Sequence, residues 1–249
     1  ANEYLKQYPD QAILEQTDSG YQVTLPSGSQ IKVPRRVSLT RWVAGQLPNG
    51  WDATRFGVSK ELVDQIDRTT LYNIVSTSNA FQSAGLDPKE LNDLYLPTLV
   101  GNSQGGGMGG MTALNRMYHD HREDLERQGD TLQETLINVG PAWVTQSLTG
   151  SYGPMVHPVA ACATALVSLN CGVDLIQQGK ADFVVSGGYD DYSEEGVIGF
   201  QDMAATCETE DMLAKGFEPR TMSRPNDTRR GGFVEAQGGG TLLLTRLDK

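Results

Sequence analysis

Positive charge and histidine are scarce in this chain of 249 residues. Lys and Arg total 20 against 31 Asp and Glu, a formal net charge of -11, and there are 3 histidines. That balance argues against nucleic acid or an anionic membrane as the main partner, although Arg220, Arg224, Arg229 and Arg230 gather in one stretch. No apolar run approaches the roughly 18 residues of a membrane helix. Three cysteines, Cys162, Cys171 and Cys207, are too few and too odd in number for a disulfide framework, and no pair has metal-ligand spacing. Their sparseness suits a reducing compartment, so a cytoplasmic location is expected. Gly-x-Ser-x-Gly is absent, which removes the usual serine-hydrolase elbow. The chain opens on polar residues at Ala1, unlike a signal peptide, and is expected to be an internal piece of a longer protein.

What is present alternates strands with helices, an α/β pattern with a mixed or parallel sheet. Tyr21, Val23 and Leu25, then Pro26-Ser27-Gly28-Ser29, then Ile31 and Val33, read as a β-hairpin. Ser59 is a plausible N-cap for a helix through Leu62, Val63 and Ile66, and a second helix ends at Gly85. Leu96 to Val100 reads as a strand, followed by a glycine-rich stretch and a helix from Met111 to His121. Thr131 with Glu134 has capping-box spacing for a helix that Pro141 kinks and Gly150 ends. Phe183 to Ser186 is a buried-type strand, 197–206 a helix, 215–232 a long loop, and Thr241 to Leu244 a last strand.

The stretch Val156 to Gly179 organises the rest. Val156 to Ala161 reads as a strand, and a helical pattern follows through Leu166, Leu169, Val173 and Ile176. Cys162 then stands at a strand-to-helix corner, where free N–H groups and the helix dipole favour a thiolate. A small buried thiol in a tight turn fits the same local pattern. Gly105, Gly107 and Gly110 match G-x-G-x-x-G, but no second strand ending in an acid follows about 20 residues on, as a dinucleotide fold requires. A tight turn, with backbone approaching another backbone or an acyl chain, is the better reading. His119 and His121 lie about 200° apart on a helix and share no ligand face. His157 is about 16 Å from Cys162 along an extended strand, too far to act as its base. Asp190, Asp191, Glu194 and Glu195 read as a solvated acidic loop rather than paired catalytic carboxylates. A candidate nucleophile is therefore present without an obvious base.

Pro158 to Ala165, Ile176 to Asp182 and Val185 to Asp191 resemble the nucleophile region of β-ketoacyl synthases. Met222 to Gly240 is similar to that family's S-R-P, R-x-G-F and G-x-G stretch. Val43 to Trp51 and Gly106 to Gly110 resemble, more narrowly, the ketoacyl synthase of the type I fatty acid synthases of fungi and actinobacteria.

The resemblance implies a thiolase-like α/β fold, with residues 1–57 an insertion hairpin and loop region and 58–249 the N-terminal half of the synthase domain. It implies a 3-oxoacyl-[acyl-carrier-protein] synthase, an acyltransferase performing decarboxylative Claisen condensation, with Cys162 as the acyl-carrying nucleophile. The substrate would arrive on the phosphopantetheine arm of an acyl carrier protein, and the chain would bind no cofactor or metal itself. Backbone N–H groups, including that of Cys162, would form the oxyanion hole. Gly107 and Met108 would line the acyl site. A homodimer formed through the strand before Cys162 is implied, and the Arg220 cluster would face either a carrier protein or the acidic loop. The family's two histidines, in H-G-T-type and G-H motifs, do not occur in these residues. The chain alone is therefore expected to be acylated slowly at most and not to condense. A polyketide synthase or thiolase-type domain is the alternative on the same fold, and a non-catalytic scaffolding or chain-length-factor-like partner the alternative of another class.

Overall fold

A computed structural model of the chain describes residues 13–18, 20–28, 37–126 and 129–247. The chain divides into two units, 1–38 and 39–249. In the first, β1 (Ile13–Thr17) pairs antiparallel with β2 (Gly20–Thr24). The hairpin is thus offset from expectation: Tyr21 and Val23 pair with Gln16 and Leu14, and the proposed arm at Ile31 and Val33 lies outside the described residues. Residues 39–57, grouped with the hairpin on sequence grounds, belong to the second unit, where Trp51, Ala53 and Phe56 join its core.

In that unit α1 (Lys60–Gln65) starts as expected, with the Ser59 hydroxyl accepting from the Leu62 N–H. Next, α2 (Arg68–Ala84) is capped by Asp67 and ends at Gly85 in the left-handed region, φ 69°. The strand expected at Leu96 begins later. Pro97 to Leu99 make a helical turn, because proline suits the first position of such a turn, and β3 runs Val100–Gly106. After β3 come α3 (Met111–Arg122) and α4 (Val139–Val144). A π-type turn over Thr145–Thr149 follows α4 and closes at Gly150.

The strand before Cys162 is shorter than its apolar run suggests: β4 is Met155–Val156 alone. A 3-10 turn, Ala161–Ala163, then leads into α5 (Thr164–Gln177). Cys162 therefore sits ahead of the helix that carries Cys171, not on it. After β5 (Phe183–Asp190) come α6 (Glu194–Asp202), α7 (Thr209–Ala214) and β6 (Gly238–Thr245). Just before the expected long loop stands α7, and Pro219–Thr221 form a helical turn within it.

The second unit's sheet has the order β4-β3-β5-β6, with β3 parallel to both β4 and β5 and β6 antiparallel to β5. Strand side chains alternate in direction, and β5 shows the consequence. Phe183 and Val185 pack with Leu71, Ile74, Val75 and Phe81 of α2, while Val184 packs with Leu175 of α5. Both faces of β5 are covered, which is why it reads as an unbroken apolar run.

β3 is different: Asn102, Ser103 and Gln104 are buried in mid-strand. They survive because they are bonded. Gln104 Nε2 donates to Thr77 Oγ1 (2.8 Å) and Thr241 Oγ1 (3.1 Å), and its Oε1 accepts from Asn73 and Asn102. Ser103 Oγ donates to the Ser168 carbonyl at 2.7 Å. A one-residue slip of β3 would break every one of these bonds, so the network fixes the height at which β3 delivers the glycine turn.

Glu134 makes no capping box. Its carboxylate is buried, accepting from the Asp67 N–H and from Trp143 Nε1, both at 3.0 Å. Asp67 in turn accepts from Thr69 N and Ala113 N. Two buried acids thus satisfy helix-end donors that water would otherwise serve.

Candidate active site

Parallel β3, β4 and β5 end on the same side of the sheet, the side on which open α/β folds gather their sites. Their ends deliver Gly107-Met108, the 157–163 segment and Asp190-Asp191 to one cleft of about 470 Å³. Cys162, Gly107 and Met108 line it together. Phe200 of α6 and Phe233 also line it, their rings in edge contact at 5.0 Å. A second cleft of about 330 Å³ shares Gly107, Ala161, Cys162 and Asp190 and is walled by glycines of β3, β5 and β6.

Cys162 is exposed, so the buried-thiol reading fails. Just before it, Ala161 holds φ 47°. A non-glycine residue there carries strain of about 1–3 kcal/mol, offset by local bonds. Thr164 Oγ1 accepts from the Ala160 N–H (2.9 Å) and donates to the Ala161 carbonyl (2.7 Å). The turn is thereby fastened to the first residue of α5, with the thiol at its apex.

The glycine motif is built for close packing. None of Gly105, Gly107 and Gly110 is in the left-handed region. A Cβ on Gly105 would lie 2.3 Å from the Pro158 carbonyl oxygen and 2.5 Å from Thr164 Cγ2. β3 can therefore press directly on the segment that carries Cys162, as the backbone-approach reading expects.

The histidines stay apart from the cleft. His119 and His121 are exposed at the end of α3, and His119 Nδ1 lies 3.3 Å from Asp120. His157 is half-buried, with both ring nitrogens shielded from water. No hydrogen bond of ordinary geometry reaches either ring nitrogen. Burial holds its pKa below the usual histidine value, and the Gln104 backbone offsets this only in part.

The acidic stretch departs from its reading as a solvated loop. Glu194 and Glu195 are exposed, but Asp190 and Asp191 are mostly withdrawn from water and line the cleft. Burial raises the pKa of Asp190, opposed by the N–H groups of Gly107, Asp191 and Met108. Burial also raises Asp191, opposed by Arg68 at 3.5 Å. Their signal in the sequence was position, directly after the apolar run and glycines of β5. The arginine cluster does not pair with this stretch; within the chain its partners are local, and Arg220 and Arg229 stay exposed. Arg220 meets Glu218 at 3.0 Å, while Arg224, Arg229 and Arg230 all converge on Asp227. Asp227 is held well below the usual carboxylate pKa, chiefly by hydrogen bonds from the Arg229 backbone and side chain.

Among the described residues, no group of three or more His, Cys, Asp or Glu is arranged to hold a metal ion, and no helix is long and apolar enough to cross a membrane.

Comparison with known proteins agrees with this geometry. Residues 20–249 match the family model described as "Beta-ketoacyl synthase, N-terminal domain". The chain is 42% identical over 251 residues to fatty acid synthase subunit alpha of Candida parapsilosis, covering 100% of this chain and 13% of that protein. It is 41% identical over 251 residues to the Saccharomyces cerevisiae subunit alpha, with the same coverage. The chain thus spans about an eighth of the length of these relatives. A solved β-ketoacyl synthase from Burkholderia phymatum STM815 superposes with a TM-score of 0.68 at 20% identity, covering 85% of this chain and 50% of that one. The fold is thiolase-like, and the chain belongs to the β-ketoacyl synthase family, matching its N-terminal domain.

Proposed function

We propose that these residues supply the nucleophile side of a 3-oxoacyl-[acyl-carrier-protein] synthase within a fungal-type multifunctional fatty acid synthase. One observation carries the reading: Cys162 is exposed on a strained turn at the edge of an apolar cleft, where the parallel strands end. Cys162 Sγ attacks the carbonyl carbon of an acyl thioester borne on the phosphopantetheine arm of a carrier protein. The C–S bond to the arm breaks, and the arm leaves as a thiol carrying the proton from Cys162. Decarboxylation of a malonyl thioester then releases CO₂ and leaves an enolate. The enolate carbon attacks the acyl-Cys162 carbonyl, forming the C–C bond, and Cys162 departs as thiolate. The Cys162 N–H is suited to the oxyanion, since no side chain caps the Ala161–Ala163 turn.

Gly107 and Met108 are proposed to line the acyl chain, in keeping with the apolar wall of Met108, Val197, Phe200 and Phe233. No histidine lines the cleft, so the groups that stabilise the enolate come from elsewhere in the full-length protein, and this chain alone would be acylated without condensing. The reading is tested by alkylating the full-length protein with iodoacetamide and mapping the adducts by mass spectrometry. Selective modification of Cys162, blocked by prior acylation, supports it. Equal modification of Cys162, Cys171 and Cys207 would sink it.

The assembly proposed is a homodimer through β4. That strand has a partner on one side only and is two residues long. Beside it Met155, Val159 and Leu166 are exposed, Leu166 to 71%. An apolar edge of this kind calls for cover. Leu166→Glu in the full-length protein should weaken self-association at least about tenfold, read by sedimentation over a concentration series. An unchanged profile would place the interface elsewhere. A cytoplasmic setting accords with three free thiols, one of them exposed.

A further inference from the structure

We propose that Asp190 is a positioning residue that fixes the Gly107-Met108 turn, and with it the width of the cleft beside Cys162. The inference rests on the reading of Cys162 as the acyl-carrying nucleophile. The main-chain ladder between β3 and β5 ends at the pair Gly106 and Tyr189. One residue further on, the Asp190 side chain takes over: its Oδ2 accepts from the Gly107 N–H at 3.1 Å. A Cβ on Gly107 would lie 2.7 Å from that oxygen and 3.5 Å from the Ala161 carbonyl. The turn is therefore seated between the carboxyl and the residue before the nucleophile.

Beyond this anchor the chain runs on to α3, where Met111 N donates to the Gly109 carbonyl, and the Met108 N–H also faces the Asp190 carboxyl. Met108 lies between these two fixed points and lines the cleft, with its sulfur toward Gly196 of α6. The other carboxyl oxygen, Oδ1, is buried and takes no hydrogen bond of ordinary geometry, with only the nearby Met108 and Asp191 N–H groups to favour its charge, a costly arrangement for a side chain that merely fills space. An apolar residue would avoid that cost, but it would leave the Gly107 N–H without its acceptor and the turn without its seat.

The test uses the full-length protein and two alkylating probes, iodoacetamide and its N-dodecyl derivative. The readout is the ratio of their rate constants at Cys162, measured by peptide mass spectrometry. Asp190→Ala should shift that ratio about tenfold, the effect of losing one charge-assisted hydrogen bond. Asp190→Ser, one bond too short to reach Gly107, should match it. Asp190→Asn keeps an acceptor oxygen and should stay within about twofold of the unaltered protein. A lost packing contact alone would slow both probes together without changing the ratio. An unchanged ratio in folded Asp190→Ala or Asp190→Ser overturns the proposal, and so does an equal shift in Asp190→Asn. Failure of both the alanine and serine variants to fold overturns it too, by making the carboxyl a folding determinant. If Cys162 in the unaltered protein takes neither probe, the functional reading itself has failed.

Discussion

Cys162→Ala in the full-length protein should lower condensation at least about a thousandfold, since the covalent intermediate can no longer form. The same substitution should leave the fold intact. The side chain is exposed, and surface substitutions of this kind fall within about 0.5 kcal/mol. Loss of activity with an unchanged melting profile therefore isolates chemistry from stability. Cys162→Ser sharpens the result. A hydroxyl ionises far less readily than a thiol and is a much weaker nucleophile at neutral pH, so serine should be nearly as inactive as alanine. Steady-state condensation and intact-mass detection of the acyl adduct check both variants. If Cys162→Ala retained a tenth of the activity, the acyl-cysteine mechanism would be wrong. Retained activity without an adduct would point instead to direct transfer between carrier-bound thioesters.

The helix ends were legible because their signals are local. Ser59, Gly85 and Gly150 each act within one turn of their own position. Cys162, Gly107 and Met108 were legible as separate motifs, and the fold brings them to one cleft. What escaped depends on distant partners. Glu134 has capping-box spacing from Thr131, yet it serves Asp67, 67 residues away. The polar residues of β3 do not look like a central strand. They are one because Thr77, Asn73 and Thr241 complete their hydrogen bonds across the sheet, so tertiary context overrides β-propensity. Asp190 and Asp191 read as hydrophilic, and only the arrangement of β3, α2 and α6 around them shows that they are largely withdrawn from water. The arginines after Arg220 suggested pairing with the acidic loop, while Asp227 within their own loop takes that role.

Removing either member of the Arg41–Glu235 pair should be the most damaging change to this region's stability. The two side chains are 4% and 9% exposed, and their charged atoms stand 2.6 Å apart. They are held by charge rather than by a hydrogen bond of ordinary angle. Deleting one partner leaves the other buried and uncompensated, a loss of about 3–5 kcal/mol, whereas an apolar pair of similar volume is often neutral or stabilising. The large multidomain protein need not unfold in two states, so the effect is best read locally. Around the pair, Gly45 N donates to the Glu235 carbonyl at 2.8 Å, and Gln237 N donates to the Gly45 carbonyl at 3.0 Å. Hydrogen exchange at these two amides should accelerate by about two to three orders of magnitude in Arg41→Ala or Glu235→Ala. The double variant Arg41→Met with Glu235→Leu should restore most of the protection. If both single variants exchanged as slowly as the unaltered protein, the pair would be ornamental to the fold. The consequence reaches the site, because Glu235 lines the Cys162 cleft. Residues 43–51 and 222–240 carry separate parts of the family resemblance. Phe233, Glu235 and Ala236 of the second stretch line the cleft, and the first stretch backs them through the bridge between Gly45 and Ala236, so loosening the pair should also alter how Cys162 receives its acyl group.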